Sequence, residues 1–331
     1  MEVTVLIVSR NEEKHILNCI NSIEKQFSHN NDWELIFIDG ISHDRTKIIA
    51  KNYLEKKAKY KFKIFDNEKK ILSAGWNIGI KNAKGKYIIR PDAHATLEKN
   101  YINKALEILK NNPKIAVVGG ILITKAKGFW GDIIKNALST KVGVGNSSFR
   151  TGAKSSYQDT AVYGLYKKEV FDKSGFFNEN LKRHQDTEFH QRAKENNFKF
   201  WLQNDIKANY FCRNSIYKLL KQMFQIGRYL PVLIKIGQAK SIKIRHFAPF
   251  GFYFFLFVNL IFGKIFEINF LLKFSFFVFI SYISVIFVGI LQFLIKGNKF
   301  KIQNLLLIFI IPLMHLFYGL GFFIGLIRLK F

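Results

Sequence analysis

The chain has 331 residues, more than one hydrophobic core usually serves, so two or three units are expected. Its formal charge of +27 comes from Lys and Arg scattered among Asn, Ile and Phe, and no recognisable nucleic-acid-binding motif accompanies it, so nucleic acid is excluded as a partner. Two cysteines, Cys19 and Cys212, make no disulfide framework, and the opening Met-Glu-Val-Thr-Val-Leu has neither a basic n-region nor a signal-type apolar run, so the N-terminal part is expected in a reducing cytosol.

Residues 1–123 alternate strand-like and helix-like patterns. Strands are expected over 3–8, 33–38, 60–65, 87–89 and 115–123, with helices after Glu13, near Asp44, over 71–83 despite two glycines, and over 101–109. This βαβα order implies an α/β fold with a doubly wound, mainly parallel sheet. Each strand end carries a polar group, as a nucleotide site at the carboxyl edge of such a sheet requires. Asp39 could accept hydrogen bonds from a base or ribose and Asp66 could assist, although each also reads as a helix cap or loop acid. Neither a Walker-type phosphate loop nor a Gly-x-Gly-x-x-Gly follows the first strand, so something else must neutralise phosphates.

The organising stretch is residues 86–95, an apolar strand that Pro91 ends before Asp92 and His94. Two residues apart on an extended backbone, Asp92 and His94 could share a divalent cation that holds a diphosphate; a turn acid and a surface histidine are the plainer alternative. Residues 142–157, rich in Gly and Ser, read as an active-site loop or an ordinary surface loop, and Gly143-Val-Gly145 marks flexibility within it. A strand over 160–166, a short helix over 168–174 and a turn at 175–178 lead to a helix opening around Asp186. That acid is either a cap at a helix start or a general base at the mouth of the sheet.

Residues 207–246 contain nine Lys or Arg and no acid, interleaved with apolar residues, and read as a pair of basic amphipathic helices on an anionic leaflet. Beyond them, 247–266, 270–295 and 302–327 are each long and apolar enough to span a bilayer. Lys240, Lys243 and Arg245 before the first, and Lys296, Lys299 and Lys301 between the last two, put those flanks in the cytosol, while the short first connection leaves a re-entrant first segment open. The expected division is 1–206 catalytic, 207–246 interfacial, 247–331 transmembrane.

Ser9-Arg-Asn-Glu12, Phe37-Ile-Asp-Gly-Ile-Ser-His-Asp44, Ala74-Gly-Trp-Asn-Ile-Gly79 and Arg90-Pro-Asp-Ala-His94 resemble, in order and spacing, the core of family 2 glycosyltransferases with the GT-A fold. Gly145-Asn146, Asp159-Thr-Ala-Val-Tyr-Gly164, Gln185-Asp-Thr-Glu188 and Gln225-Ile-Gly-Arg-Tyr229 are similar to the membrane-bound exopolysaccharide branch. The resemblance runs from residue 2 to about 235. It implies a nucleotide-sugar donor, of UDP type, held by Arg10, Glu12, Asp39, Asp66 and Asp92. It further implies a divalent metal, Mn2+ or Mg2+, at Asp92 and His94, where His replaces the second acid of the family's Asp-x-Asp motif. Asp186 takes the catalytic-base position, with Gln185 in place of the usual Glu. Gln225, Arg228 and Tyr229 fall on the Gln-x-x-Arg-Trp motif near acceptor and diphosphate, with Tyr for Trp. The implied activity is inverting transfer to a lipid-linked saccharide by an inner-membrane, multi-pass enzyme whose catalytic domain is cytoplasmic. A polyprenyl-phosphate sugar synthase, or a non-catalytic membrane nucleotide sensor or scaffold, are the alternative readings.

Overall fold

A computed structural model describes residues 1–27, 32–145, 147–295 and 301–328. The order is β1 Val3–Ser9, α1 Ile16–Glu24, β2 Trp33–Asp39, α2 Thr46–Lys57, β3 Lys61–Asp66, α3 Leu72–Asn82, β4 Tyr87–Ile89, β5 Ala95–Leu97, α4 Tyr101–Asn111 and β6 Ile115–Lys125. There follow α5 Gly128–Ala137, α6 Lys141–Val144, α7 Ser148–Thr151, β7 Ser156–Gln158, β8 Leu165–Lys167, α8 Glu169–Ser174, α9 Gln185–Glu195 and β9 Lys199–Phe211. The remainder is helical: α10 Ile216–Lys235, α11 Ala248–Ile265, α12 Asn269–Ile295 and α13 Leu307–Arg328. The chain forms two compact units, Met1–Ile123 with Ser148–Phe211, and Thr124–Ser147 with Cys212–Phe331.

The first unit is a single sheet with strand order β3-β2-β1-β4-β8-β6-β9-β5, to which β7 adds beside β9. All seven residues of β1 and all seven of β2 are buried, which is why their sequences are near-continuous apolar runs. β3, β2, β1 and β4 are parallel, the half that the βαβ rhythm announced. The other half is mixed: β8 runs antiparallel to β4 and β6, and β9 antiparallel to β5 and β7. The strand expected over 160–166 is confined to β8, because the chain turns at Tyr163, where φ is +44°. β9 runs past residue 206 to Phe211, so residues 207–211, expected in a basic helix, are strand. Phe200, Leu202, Ile206, Ala208 and Tyr210 are its buried residues, all in one phase, and the exposed Asn204 within the polar run Gln203-Asn-Asp205 interrupts them, which hides the strand in the sequence.

Two glycines in α3 look unfavourable for a helix, at roughly 1 kcal/mol each relative to Ala. Packing explains them. A Cβ at Gly75 would sit 2.5 Å from Val8 Cγ1, and one at Gly79 would sit 2.9 Å from Leu6 Cδ2, so only glycine lets α3 approach β1. Trp76 and Ile80 then close the core with Leu6, Ile36, Ile38, Ile88, Tyr166, Phe171 and Phe189.

The second unit has its own core, in which Ile133, Ile134 and Ala137 of α5 and the following Leu138 meet Leu219 of α10, Ile286 and Ile290 of α12, and Leu307, Ile310, Ile311 and Met314. α10 packs on α13 at backbone distance. A Cβ at Gly227 would fall 2.0 Å from the Tyr318 carbonyl oxygen, one at Gly321 2.1 Å from that of Phe224, and one at Gly325 2.4 Å from that of Arg228. The contacts climb together, Phe224 on Gly321 and then Pro231 on Gly325, so the two helices run in the same direction. Small residues four apart are the usual means of such an approach. The sequence reading of 207–246 as two helices with their apolar stripes toward lipid is corrected here. One long helix forms, residues 239–241 and 244–246 make only single 3₁₀ turns, and Leu219, Leu230 and Leu233 of α10 are buried in protein. The flexibility read into Gly143-Val-Gly145 gives way to the short helix α6, where Thr140 Oγ1 accepts from the Gly143 N–H.

Three helical segments, Ala248–Ile265, Asn269–Ile295 and Ile302–Arg328, are long and apolar enough to cross a membrane. Phe257, Phe270, Phe276, Phe277 and Phe309 on them are all more than 60% exposed, an outer surface suited to an apolar solvent. Lys296, Lys299 and the tail Lys330 lie outside the described residues, as does Asn146 of the Gly145-Asn146 motif.

Candidate active site

The register of the parallel strands aligns Ser9 with Asp39 and Asp39 with Asp66, and Val8 makes an isolated bridge to Asp92. Asp66, Asp39, the β1 exit and Asp92 therefore stand along one carboxyl edge of the sheet, where such folds bind ligands. Asp39 is buried, and its carboxylate accepts from the Ser42 N–H (2.8 Å) and Ser42 Oγ (2.7 Å). Asp66 is more open and pairs with Lys47 at 2.7 Å. Arg10 is exposed, and Gly40 is close beneath it, since a Cβ there would meet Arg10 Cβ at 3.2 Å.

The loops after β1 and β2 are stitched together. Asn11 N–H donates to Ser42 Oγ and His43 N–H to Asn11 Oδ1, Glu12 N–H donates to Thr46 Oγ1, and Glu13 N–H donates to Asp44 Oδ2. Asn11 and Ile41 take positive φ to make this possible. The edge is thus fixed before any ligand arrives.

Asp92 and His94 lie in a turn and not on an extended strand, with the Ala95 N–H donating to the Asp92 carbonyl at 2.9 Å. The turn brings His94 Nε2 to 4.0 Å from Asp92 Oδ2. Glu12 Oε1 lies 3.1 Å from His94 Nδ1, which orients the ring, so the carboxylate expected on the donor is engaged with His94. Tyr163 Oη donates to Asp92 Oδ2 at 3.0 Å. Among the described residues no group of three or more His, Cys, Asp or Glu converges. Two protein donors fit a hard cation that takes its remaining ligands from water and a diphosphate, and one carboxylate with one imidazole suits Mn2+ better than Mg2+.

Asp186 is the second residue of α9 and pairs with Arg90, which follows β4. Arg90 is 5% exposed: its guanidinium lies 3.9 Å from the Trp76 ring centroid and 4.7 Å from that of Phe177, and Nη2 donates to Tyr166 Oη at 3.1 Å. Solvent reaches 46% of the Asp186 side chain on its open side. Protein crowding on the other side pushes its pKa up, Asp92 adds to the rise, and Arg90 opposes it. A carboxylate held by a rigid cation, open to solvent and with raised basicity has the attributes of a general base. Behind it, His190 bridges Tyr166 Oη (2.7 Å) and Thr160 Oγ1 (2.8 Å), and burial first, then Arg90, lowers its pKa so that the ring stays neutral.

Glu188, two residues on, is 3% exposed and forms a bidentate pair with Arg192, which also donates to the carbonyls of Ser174 and Phe176. Glu188→Gln is expected to lower the unfolding free energy by about 1–3 kcal/mol while leaving turnover near normal. Thermal unfolding beside a transfer assay checks both.

The sequence motifs thus bring Asp39, Asp66, Asp92, His94, Glu12, Arg10 and Asp186 into the sheet unit, whereas Gln225, Arg228 and Tyr229 lie on α10 in the helical unit. Sequence alone assigns no role to Arg90, although it opens the Arg-Pro-Asp-Ala-His motif, nor to Tyr163, the fifth residue of Asp159-Thr-Ala-Val-Tyr-Gly164. Tyr210 was missed because β9 was.

Residues 4–175 match the family described as Glycosyl transferase family 2. The Methanococcus voltae protein named dolichyl N-acetyl-alpha-D-glucosaminyl phosphate 3-beta-D-2,3-diacetamido-2,3-dideoxy-beta-D-glucuronosyltransferase is 31% identical over 98% of this chain and 97% of its own length. Succinoglycan biosynthesis protein ExoA of Rhizobium meliloti is 27% identical over 68% of this chain and 67% of its own. Among solved structures, the mannosyltransferase PcManGT from Pyrobaculum calidifontis, in complex with GDP-Man and Mn2+, shares the fold at a TM-score of 0.62 and 12% identity, over 99% of this chain and 88% of that one. With a family match across half its length and a full-length relative, the chain belongs to glycosyltransferase family 2 and is a GT-A-fold glycosyltransferase.

Proposed function

We propose that the protein is an inverting glycosyltransferase that moves a sugar from a nucleoside-diphosphate donor, UDP-linked, to a lipid-linked saccharide at the cytosolic face of the inner membrane. The observation that carries this reading is that Asp186 pairs with Arg90, two residues before Asp92, at the carboxyl edge along which Asp39 and Asp66 also stand. Asp39 and Asp66 bind the nucleoside, and Arg10 stands at the β1 exit beside them. Asp92 and His94 would hold a divalent ion, with Glu12 orienting His94, and its charge would be available to offset that of a diphosphate. Asp186 takes the proton of the acceptor hydroxyl, and with one base and no protein nucleophile the anomeric centre inverts.

A lipid-linked acceptor is supported by the name of the Methanococcus relative, whose acceptor is a dolichyl-linked sugar phosphate, and by the three membrane-length helices. The sheet unit is the catalytic domain; α10 carries the acceptor-region motif residues Gln225, Arg228 and Tyr229, and α11 to α13 cross the bilayer as a multi-pass anchor. A polyprenyl-phosphate sugar synthase needs no base, because its acceptor is already an anion, and the built position of Asp186 favours the hydroxyl acceptor. A non-catalytic nucleotide sensor would bind donor without transferring it.

Calorimetric titration of the detergent-solubilised protein with UDP, with and without Mn2+, tests the cation site. Asp92→Ala and His94→Ala are each expected to abolish the Mn2+-dependent gain in affinity while the thermal transition stays in place, since both side chains lie outside the apolar core. Unchanged affinity in both variants would sink the assignment.

A further inference from the structure

Arg150, on α7, is linked to the Asp92–His94 pair through a single ring, that of Tyr210. Its guanidinium lies 5.1 Å from the ring centroid of Tyr210, whose ring is 5.5 Å from that of His94. Tyr163, which holds Asp92 through its hydroxyl, feels the charge of both Asp92 and Arg150. Arg150, Tyr210, His94, Tyr163 and Asp92 are therefore one contiguous group within the sheet unit. Nη1 of Arg150 is buried and hydrogen-bonds nothing among the described residues. A buried guanidinium N–H left without an acceptor costs free energy and so calls for a partner that supplies one. Asp92 is directed to Tyr163 and Glu12 to His94, so the neighbouring carboxylates are engaged elsewhere.

We infer that Arg150 is a donor-recognition residue whose guanidinium takes an oxyanion of the nucleotide-sugar. The inference rests on the donor site proposed above. Two oxyanions have the matching planar, bidentate geometry: a phosphate of the diphosphate and a carboxylate on the transferred sugar. A phosphate partner makes Arg150 a second cation on the leaving group; a carboxylate partner makes it the residue that selects uronic-acid donors over neutral hexoses.

Titrations of the full-length protein in detergent with UDP, UDP-glucose and UDP-glucuronate, each with and without Mn2+, distinguish the sources. Arg150→Ala and Arg150→Lys are compared, the second keeping the charge while losing the fork, with thermal unfolding to confirm that both fold. A fall in affinity of roughly 10- to 100-fold for all three ligands assigns the guanidinium to phosphate. A fall of that size for UDP-glucuronate alone assigns it to the sugar carboxylate. In either case the loss is expected to persist without Mn2+, because the contact is made by the side chain itself. Affinities unchanged in both folded variants overturn the inference while leaving the donor site standing. If the unaltered protein binds none of the three ligands but folds, the donor site fails and the inference with it.

Discussion

Asp186→Asn is expected to lower glycosyl transfer roughly 10²- to 10⁴-fold at saturating donor, the contribution of a positioned general base, while UDP and Mn2+ binding persist. Asn preserves size and a polar contact with Arg90 but cannot take the acceptor's proton. The unaltered enzyme should lose activity as pH falls, with an acidic limb above the ordinary carboxylate range, because crowding and Asp92 raise the pKa of this acid. Arg90→Lys, which weakens the opposing pull of the guanidinium fork, should move that limb to higher pH. The same shift has a stability consequence of definite sign: a carboxyl whose folded pKa is raised favours the folded state only while protonated, and that contribution is lost as pH rises through the folded value. Transfer assays across pH with both variants are the measurement, and near-normal turnover in Asp186→Asn would instead favour a phosphate acceptor.

Truncation after His246 is expected to leave no soluble, well-behaved protein. Sequence alone suggests the opposite, a catalytic domain with an amphipathic helix that salt releases from anionic vesicles. In the structure, however, the apolar stripe of α10 is covered by α13, and Ile133, Ile134 and Ala137 of α5, with the adjoining Leu138, share their core with α12 and α13. Removing those helices exposes a contiguous apolar surface on α5 and α10. Burial of such side chains is worth roughly 1.5–3 kcal/mol each, far more than surface cations can offset. The truncated chain should therefore aggregate or bind neutral and anionic vesicles alike, without release at high salt. Flotation with both vesicle types at two salt concentrations decides it: a salt-releasable monomer would mean that α10 does not depend on α13.

Periodicity made the parallel half of the sheet legible, since β1 and β2 are unbroken apolar runs and each following helix has a one-sided pattern. That Asp92 and His94 follow a strand and that Asp186 opens a helix was legible, because short polar motifs interrupt the apolar pattern at those points. Legibility failed where a residue's meaning depends on distant neighbours. Arg90 reads as a loop cation until Trp76, Phe177 and Asp186 surround it. The glycines of α13 read as ordinary membrane-helix glycines until α10 lies against them. β9 escaped because a polar run with the exposed Asn204 interrupts its alternation midway and its cations matched those of the following helix.

The interleaving of the two units along the chain also imposes an order in time. Residues 124–147 belong to the helical unit, but they leave the ribosome long before α12 and α13, the helices that cover them. With roughly 150 residues still to be made at about 5–20 per second, the α5 face waits on the order of 10 s without its partner. Membrane delivery of the last helices is thus also the step that completes the fold of a segment made much earlier, and slowing that delivery should expose residues 124–147 to proteolysis in nascent chains.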